Sequence, residues 1–134
     1  MSTDRRFEVL QAWQVARGLT RSVYELTGSA SFTAKAKLKR EMQRTATVLV
    51  TNIAEGFQSR STTTSRQFLG RAESAAGELR EQLFAALDAG YLTEEEFQGV
   101  QEQCAKCRAQ ISEYVEYLKN YSRPRSEMRP SLRP

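Results

Sequence analysis

Cys104-Ala-Lys-Cys107 is the stretch of this 134-residue chain whose spacing most directly suggests chemistry. A C-x-x-C pair serves zinc binding or dithiol redox exchange elsewhere. A structural zinc needs four ligands, yet the chain has two cysteines and no histidine, so a metal would have to be shared between subunits or completed by carboxylates. Redox use of the thioredoxin kind needs a strand before the pair and a helix beginning at it. These cysteines instead fall on an apolar seam well inside a helical pattern, and the spacing predicts two small buried thiols. The lack of histidine also removes a Glu-x-x-His di-iron site and the imidazole base of serine and cysteine hydrolases. There is no P-loop and no G-x-G-x-x-G. The acid cluster Glu94-Glu95-Glu96 follows Thr93 and reads as a capped helix start, with negative charge on the positive end of the dipole. No pair of acids lies within an apolar stripe, so a non-enzymatic protein without metal or cofactor is expected.

The second group of candidates is cationic. Lys35, Lys37, Lys39, Arg40 and Arg44 stand against a single acid, Glu41, and the 3, 4 spacing of Lys37, Arg40 and Arg44 places them on one helix face. Arg60, Arg66 and Arg71 extend the cationic region towards the next helix. Such a surface, repeated in an oligomer, neutralises phosphates with strongly salt-dependent affinity. A solvated basic face on an otherwise neutral body is the alternative. No aromatic residues interleave with these charges, so stacking on single-stranded bases is not supported.

Positioning these groups requires helices. No proline precedes Pro124, and the candidate turns are Gly28 to Ser31, Gly56 to Thr64, and Ala89 to Thr93. The first helix is predicted from about Asp4 to Thr27, with Phe7, Leu10, Trp13, Ala16, Leu19, Val23 and Leu26 recurring every three or four residues. The second runs from about Thr33 to Phe57 on Leu38, Met42, Thr45, Leu49, Ile53 and Phe57. The third runs from about Thr62 to Asp88 on Phe68, Leu69, Ala72, Ala76, Leu79, Leu83 and Leu87, and its AESAAGE string lets a neighbouring helix come close. In the fourth, Phe97, Val100, Cys104, Cys107, Ile111, Tyr114, Leu118 and Tyr121 form an unbroken heptad seam. Four such helices with short connections predict an all-α, antiparallel up-and-down four-helix bundle.

The chain is long enough for one domain with its own core, expected over residues 1–121. The net charge of +4 is confined to the end: residues 1–118 hold 15 basic and 15 acidic groups, the excess coming from Lys119, Arg123, Arg125, Arg129 and Arg133 against Glu127. All three prolines lie in the same segment, so residues 122–134 are expected to form a disordered basic tail. No apolar run is long enough for a membrane helix, and the N-terminus has no hydrophobic signal core, so a cytoplasmic location without membrane contact is expected.

Asn52-Ile53-Ala54-Glu55-Gly56 is the most distinctive string. At 100° per residue, with Leu49 at the stripe centre, Asn52 borders the core and Glu55 lies further round. Structural roles are available: Asn52 to backbone or side-chain groups near the helix end, Glu55 paired with an arginine such as Arg60, and Gly56 as a left-handed end cap. The functional reading places another subunit or an RNA on this flank. With Phe7, Leu10, Ala12-Trp13-Gln14, Val23 to Thr27, Arg44, Phe68-Leu69, Ala72, Glu78-Leu79 and Gly90-Tyr91-Leu92, this string resembles the small four-helix-bundle proteins encoded within intervening sequences of bacterial 23S ribosomal RNA genes. Glu41, Val48, Val50 and Ser74-Ala75 depart from the usual pattern. That family is similar in fold to the basic pentameric accessory proteins of diversity-generating retroelements. The resemblance implies a homo-oligomer, a five-fold ring, and structured RNA as candidate partner. A protein-binding scaffold with no nucleic-acid role is the competing class, supported by the neutral body.

Overall fold

The computed structural model describes residues 2–29, 32 and 36–127, with side chains over 10–29, 32 and 37–120. Four helices follow one another: α1 (Ser2–Thr27), α2 (Ala36–Gln58), α3 (Thr62–Asp88) and α4 (Glu94–Glu127). Each helix packs on its chain neighbour, and α4 closes back on α1. Neighbours run antiparallel, as the interhelix hydrogen bonds show: Thr27 meets Gln43, Gly56 meets Ser65, and Ala76 meets Cys104. This is the expected up-and-down bundle.

The predicted stripes form the core. Ala16, Leu19, Val23, Met42, Leu49, Ile53, Ala72, Ala76, Leu79, Leu83 and Cys107 have no exposed surface. Burying each leucine, isoleucine or valine is worth roughly 1.5–3 kcal/mol, so these stripes supply most of the driving force. The α4 seam is buried from Phe97 through Leu118, while the side chains of Phe7 and Tyr121 lie outside the described residues. Helix α4 continues to Glu127, past the boundary expected at residue 121, and the rest of the Arg/Pro-rich segment, 128–134, lies outside the described residues.

Helix ends follow their capping chemistry. Ser61 caps α3 by accepting the Thr64 amide at 3.2 Å on its hydroxyl. Thr93 and Glu96 form a reciprocal capping box at 2.9 and 3.0 Å, as their spacing predicts. At the end of α3 the Tyr91 amide donates to the Ala86 carbonyl and that of Gly90 to Leu87, a Schellman arrangement that places Gly90 at φ 82. Phe32 was not anticipated: it falls beside the first turn, yet is fully buried and packs edge-on against Tyr91, with ring centroids 5.5 Å apart. One aromatic pair thereby ties the α1–α2 and α3–α4 connections together at one end.

Two polar bridges near that end set the helix register. The Thr27 hydroxyl donates to the Val23 carbonyl at 2.7 Å and accepts from Gln43 Nε2 at 3.0 Å. The Thr45 hydroxyl donates to the Glu41 carbonyl at 2.9 Å and accepts from Gln82 Nε2 at 3.0 Å. Each threonine satisfies its own helix while offering a lone pair to the next. Gln82 Oε1 is buried without a partner, so this bridge already carries one unpaired group. Thr45→Val therefore leaves both ends of the amide unpaired and costs about 1–3 kcal/mol in urea unfolding, whereas Gln82→Leu is near neutral.

Candidate nucleic-acid interface

Helix α2 separates its surfaces sharply. Met42, Thr45, Ala46, Leu49 and Ile53 are buried, while Lys37, Arg40 and Arg44 are exposed along the opposite stripe. Lys39 and Glu41 are half-buried at its sides, and Lys35 lies outside the described residues. Among the described residues no carboxylate lies within ion-pair distance of Lys37, Arg40 or Arg44, and Glu41, half-buried about one turn from Lys37 and Arg44, is the one acid in this stretch. No acidic residue occupies the first turn of the helix.

The other predicted cations are placed differently. Arg60 is exposed in the α2–α3 connection, Arg66 is half-buried in the first part of α3, and the Arg71 guanidinium lies 5.1 Å from the Phe68 ring centre. Because α2 and α3 are antiparallel, Arg60 and Arg66 sit at the far end of α2 from Lys37. From Arg40 to the last residue of α2 the helix spans roughly 27 Å at 1.5 Å per residue. Thr47, Val48, Thr51 and Glu55 are exposed in between. Arg60, Arg66 and Arg71, expected to extend the cationic region towards the next helix, form a separate group: Lys37, Arg40 and Arg44 lie near one end of α2, and Arg60, Arg66 and Arg71 towards the other.

The Asn52–Gly56 string is built into the α2–α3 contact. Asn52 Nδ2 donates to the Val48 carbonyl one turn earlier at 2.8 Å, a local bond of the kind expected. Ile53 is buried, Ala54 is half-buried, and Glu55 is exposed. No ion pair joins Glu55 to Arg60 among the described residues; both face water. Gly56 is not a left-handed cap. It lies inside α2, which continues to Gln58, and it is buried. A Cβ there would stand 2.7 Å from both Cγ and Cδ2 of Leu69 and 3.4 Å from the Ser65 carbonyl oxygen. The Ser65 hydroxyl crosses the same contact to donate to the Gly56 carbonyl at 2.9 Å. Glycine is required for close approach, which sequence reasoning missed because the contacting residues lie on another helix.

The cysteines are unpaired and buried, as their seam positions predict. Cys104 Sγ donates to the Ala76 carbonyl at 3.3 Å and Cys107 Sγ to the Ala12 carbonyl at 3.9 Å. Burial pushes the Cys104 thiol up from 9.0 to about 11, against the pull of Arg108 and Arg80. Burial and the neighbouring Cys104 push Cys107 up to about 12. Both therefore stay as unreactive thiols at neutral pH, and no group of three or more His, Cys, Asp or Glu among the described residues could hold a metal. The sign of the pH dependence follows. Below pH 9.0 both states keep the protons; above it the unfolded chain ionises first, so this contribution to stability is lost as pH rises towards about 12. Urea midpoints should fall more steeply between pH 9 and 11 for the wild type than for Cys104→Ala or Cys107→Ala.

The surface also has an acidic side. A groove of about 390 Å³ between α1 and α4 is lined by Glu25, Glu95 and Glu96 over Leu26 and Val100. No described helix is long and apolar enough to cross a membrane.

A closed antiparallel bundle with an exposed basic face on one helix and two buried core thiols defines a small all-α protein whose distinguishing features are surfaces. The chain belongs to the 23S rRNA-intervening sequence protein family, whose model matches residues 8–113. Among solved structures it is similar to a protein of unknown function from the S23 ribosomal protein family of Bacteroides thetaiotaomicron, with a TM-score of 0.73 at 14% identity, covering 81% of this chain and 98% of that one. At that identity the likeness shows the fold. A comparison with curated proteins found no match.

Proposed function

We propose that the protein is a non-enzymatic, cytoplasmic homo-oligomer that binds structured RNA through the exposed face of α2. The observation that supports this reading most strongly is the Lys37, Arg40 and Arg44 stripe, exposed and without a carboxylate partner among the described residues. Three cations one turn apart follow a phosphate backbone by charge alone, without base-specific geometry. A ring, five-fold as the family resemblance implies, multiplies that stripe so that weak single contacts act together. Arg60, Arg66 and Arg71 form a second, more distant contact set on each chain. The family's description ties it to 23S rRNA intervening sequences, which directs the choice of probe to structured ribosomal RNA.

The test is a salt titration of affinity for a fluorescent structured RNA. Engagement of three phosphates per chain gives a slope of log affinity against log salt of about −2.7 per engaged chain, from roughly 0.9 for each phosphate on a duplex. A flat salt dependence would remove the phosphate reading. A protein-binding scaffold is the second reading, favoured by the acidic α1–α4 groove and by the exposed Tyr24 and Val48. In that case the protein ignores RNA at every salt concentration.

A further inference from the structure

Between α3 and α4 lies a cleft of about 340 Å³, lined by Arg80, Cys104, Ala105, Arg108, Ala109 and Ser112. We propose that this cleft is an oxyanion site for a single phosphate group, gripped by Arg80 from α3 and Arg108 from α4. It goes beyond the RNA reading of α2 and does not depend on it.

The convergence follows from helix geometry. The hydrogen bond from Cys104 to Ala76 sets those two residues opposite each other. Arg80 lies one turn after Ala76, and Arg108 one turn after Cys104. Both side chains line the cleft from opposite helices, Arg80 while resting over the Phe84 ring one turn further along α3. Both charges are felt at the Cys104 thiol, where they oppose the effect of its burial. Ala105 and Ala109 line the space between them with nothing larger than a methyl group.

The arginines are also poised for a ligand. Arg80 lies 5.2 Å from the Phe84 ring centre, which limits its wandering, and its ion pair with Glu81 is long, at 3.9 Å, with Glu81 largely in solvent. Arg108 has no ion pair among the described residues. At the other end, the Ser112 hydroxyl donates to the Glu73 carboxylate. That negative charge limits the cleft to a single phosphate group. Two guanidiniums on one phosphate provide the fork geometry that makes charge-assisted hydrogen bonds strong.

Titration of ¹⁵N-labelled protein with inorganic phosphate at constant ionic strength tests the assignment. The expected result is saturable shifts at the amides of Arg80, Ala105, Arg108, Ala109 and Ser112. Arg80→Gln and Arg108→Gln each weaken the binding by about tenfold, while Glu73→Gln strengthens it about threefold by removing the nearby carboxylate. Both arginines are exposed, so neither substitution threatens the fold. A mononucleotide and a structured RNA, added in turn, identify the natural source. Cleft shifts with the mononucleotide alone indicate a phosphorylated small molecule; shifts with both indicate an RNA phosphate. Shifts that grow linearly without saturating, that survive both arginine substitutions, or that map to Lys37, Arg40 and Arg44 would overturn the proposal.

Discussion

Gly56→Ala destabilises the bundle by up to about 2 kcal/mol, although alanine is the better helix former. The intrinsic preference favours alanine inside a helix by roughly 1 kcal/mol. Against it, the new methyl meets Cγ and Cδ2 of Leu69 at 2.7 Å, and Leu69 is 1% exposed. The Cγ atom is not the free end of a mobile chain, so α2 and α3 must separate or Leu69 must leave its rotamer. Overpacking of this kind costs about 1–3 kcal/mol. Separation also lengthens the hydrogen bond from Ser65 to the Gly56 carbonyl. The measurement is a urea unfolding series for wild type, Gly56→Ala, Leu69→Ala and the double variant. Removing Leu69 relieves the contact, so the double variant is more stable than the two single costs added together, with a coupling of about 1 kcal/mol. A Gly56→Ala protein more stable than wild type would show that the helices do not approach closely here.

The second large effect concerns RNA. Replacing Lys37, Arg40 and Arg44 together by glutamate changes the charge of the α2 face by six units per chain, converting three phosphate contacts into three repulsions. Losing the contacts alone costs orders of magnitude in affinity at low salt, so RNA retention is abolished within the range of a binding assay. All three side chains are exposed and none contributes to the buried core, so the circular dichroism and thermal midpoint stay near the wild-type values. The same triple change at Arg60, Arg66 and Arg71 has a smaller effect on RNA, because that set is divided between the connection and α3. Full retention of RNA by the Lys37/Arg40/Arg44 variant would show that the α2 face is not the interface.

These two predictions rest on features of different legibility. The α2 stripe could be read directly, because spacing of 3 and 4 fixes which residues share a helix face wherever the helix forms. The α4 heptad was legible for the same reason, and it placed both cysteines in the core before any geometry was known. The Thr93–Glu96 capping box is a local signal of the same kind. Gly56 was misread as an end cap because its neighbours in sequence resemble a helix terminus, while the residue that excludes a side chain, Leu69, lies on α3. Phe32 was passed over because its burial depends on Tyr91 from a connection far along the chain. The grouping of the arginines failed for a related reason: sequence proximity placed Arg60 beside the basic run, but a straight helix carries it to the opposite end. Periodicity reports what one helix presents, whereas packing between helices decides close approach and the layout of the surface.

Oligomerisation bears on all of this, since one stripe of three cations binds phosphate weakly and a ring of such stripes binds it well. Light scattering on the eluting protein across a salt series, with and without total cellular RNA, reads assembly and RNA binding together. The expected result is a mass of about five chains that does not change with salt, joined by RNA that co-elutes only at low salt. A monomer at every salt concentration, or a salt-stable ring that never carries RNA, would contradict RNA binding by a preassembled ring.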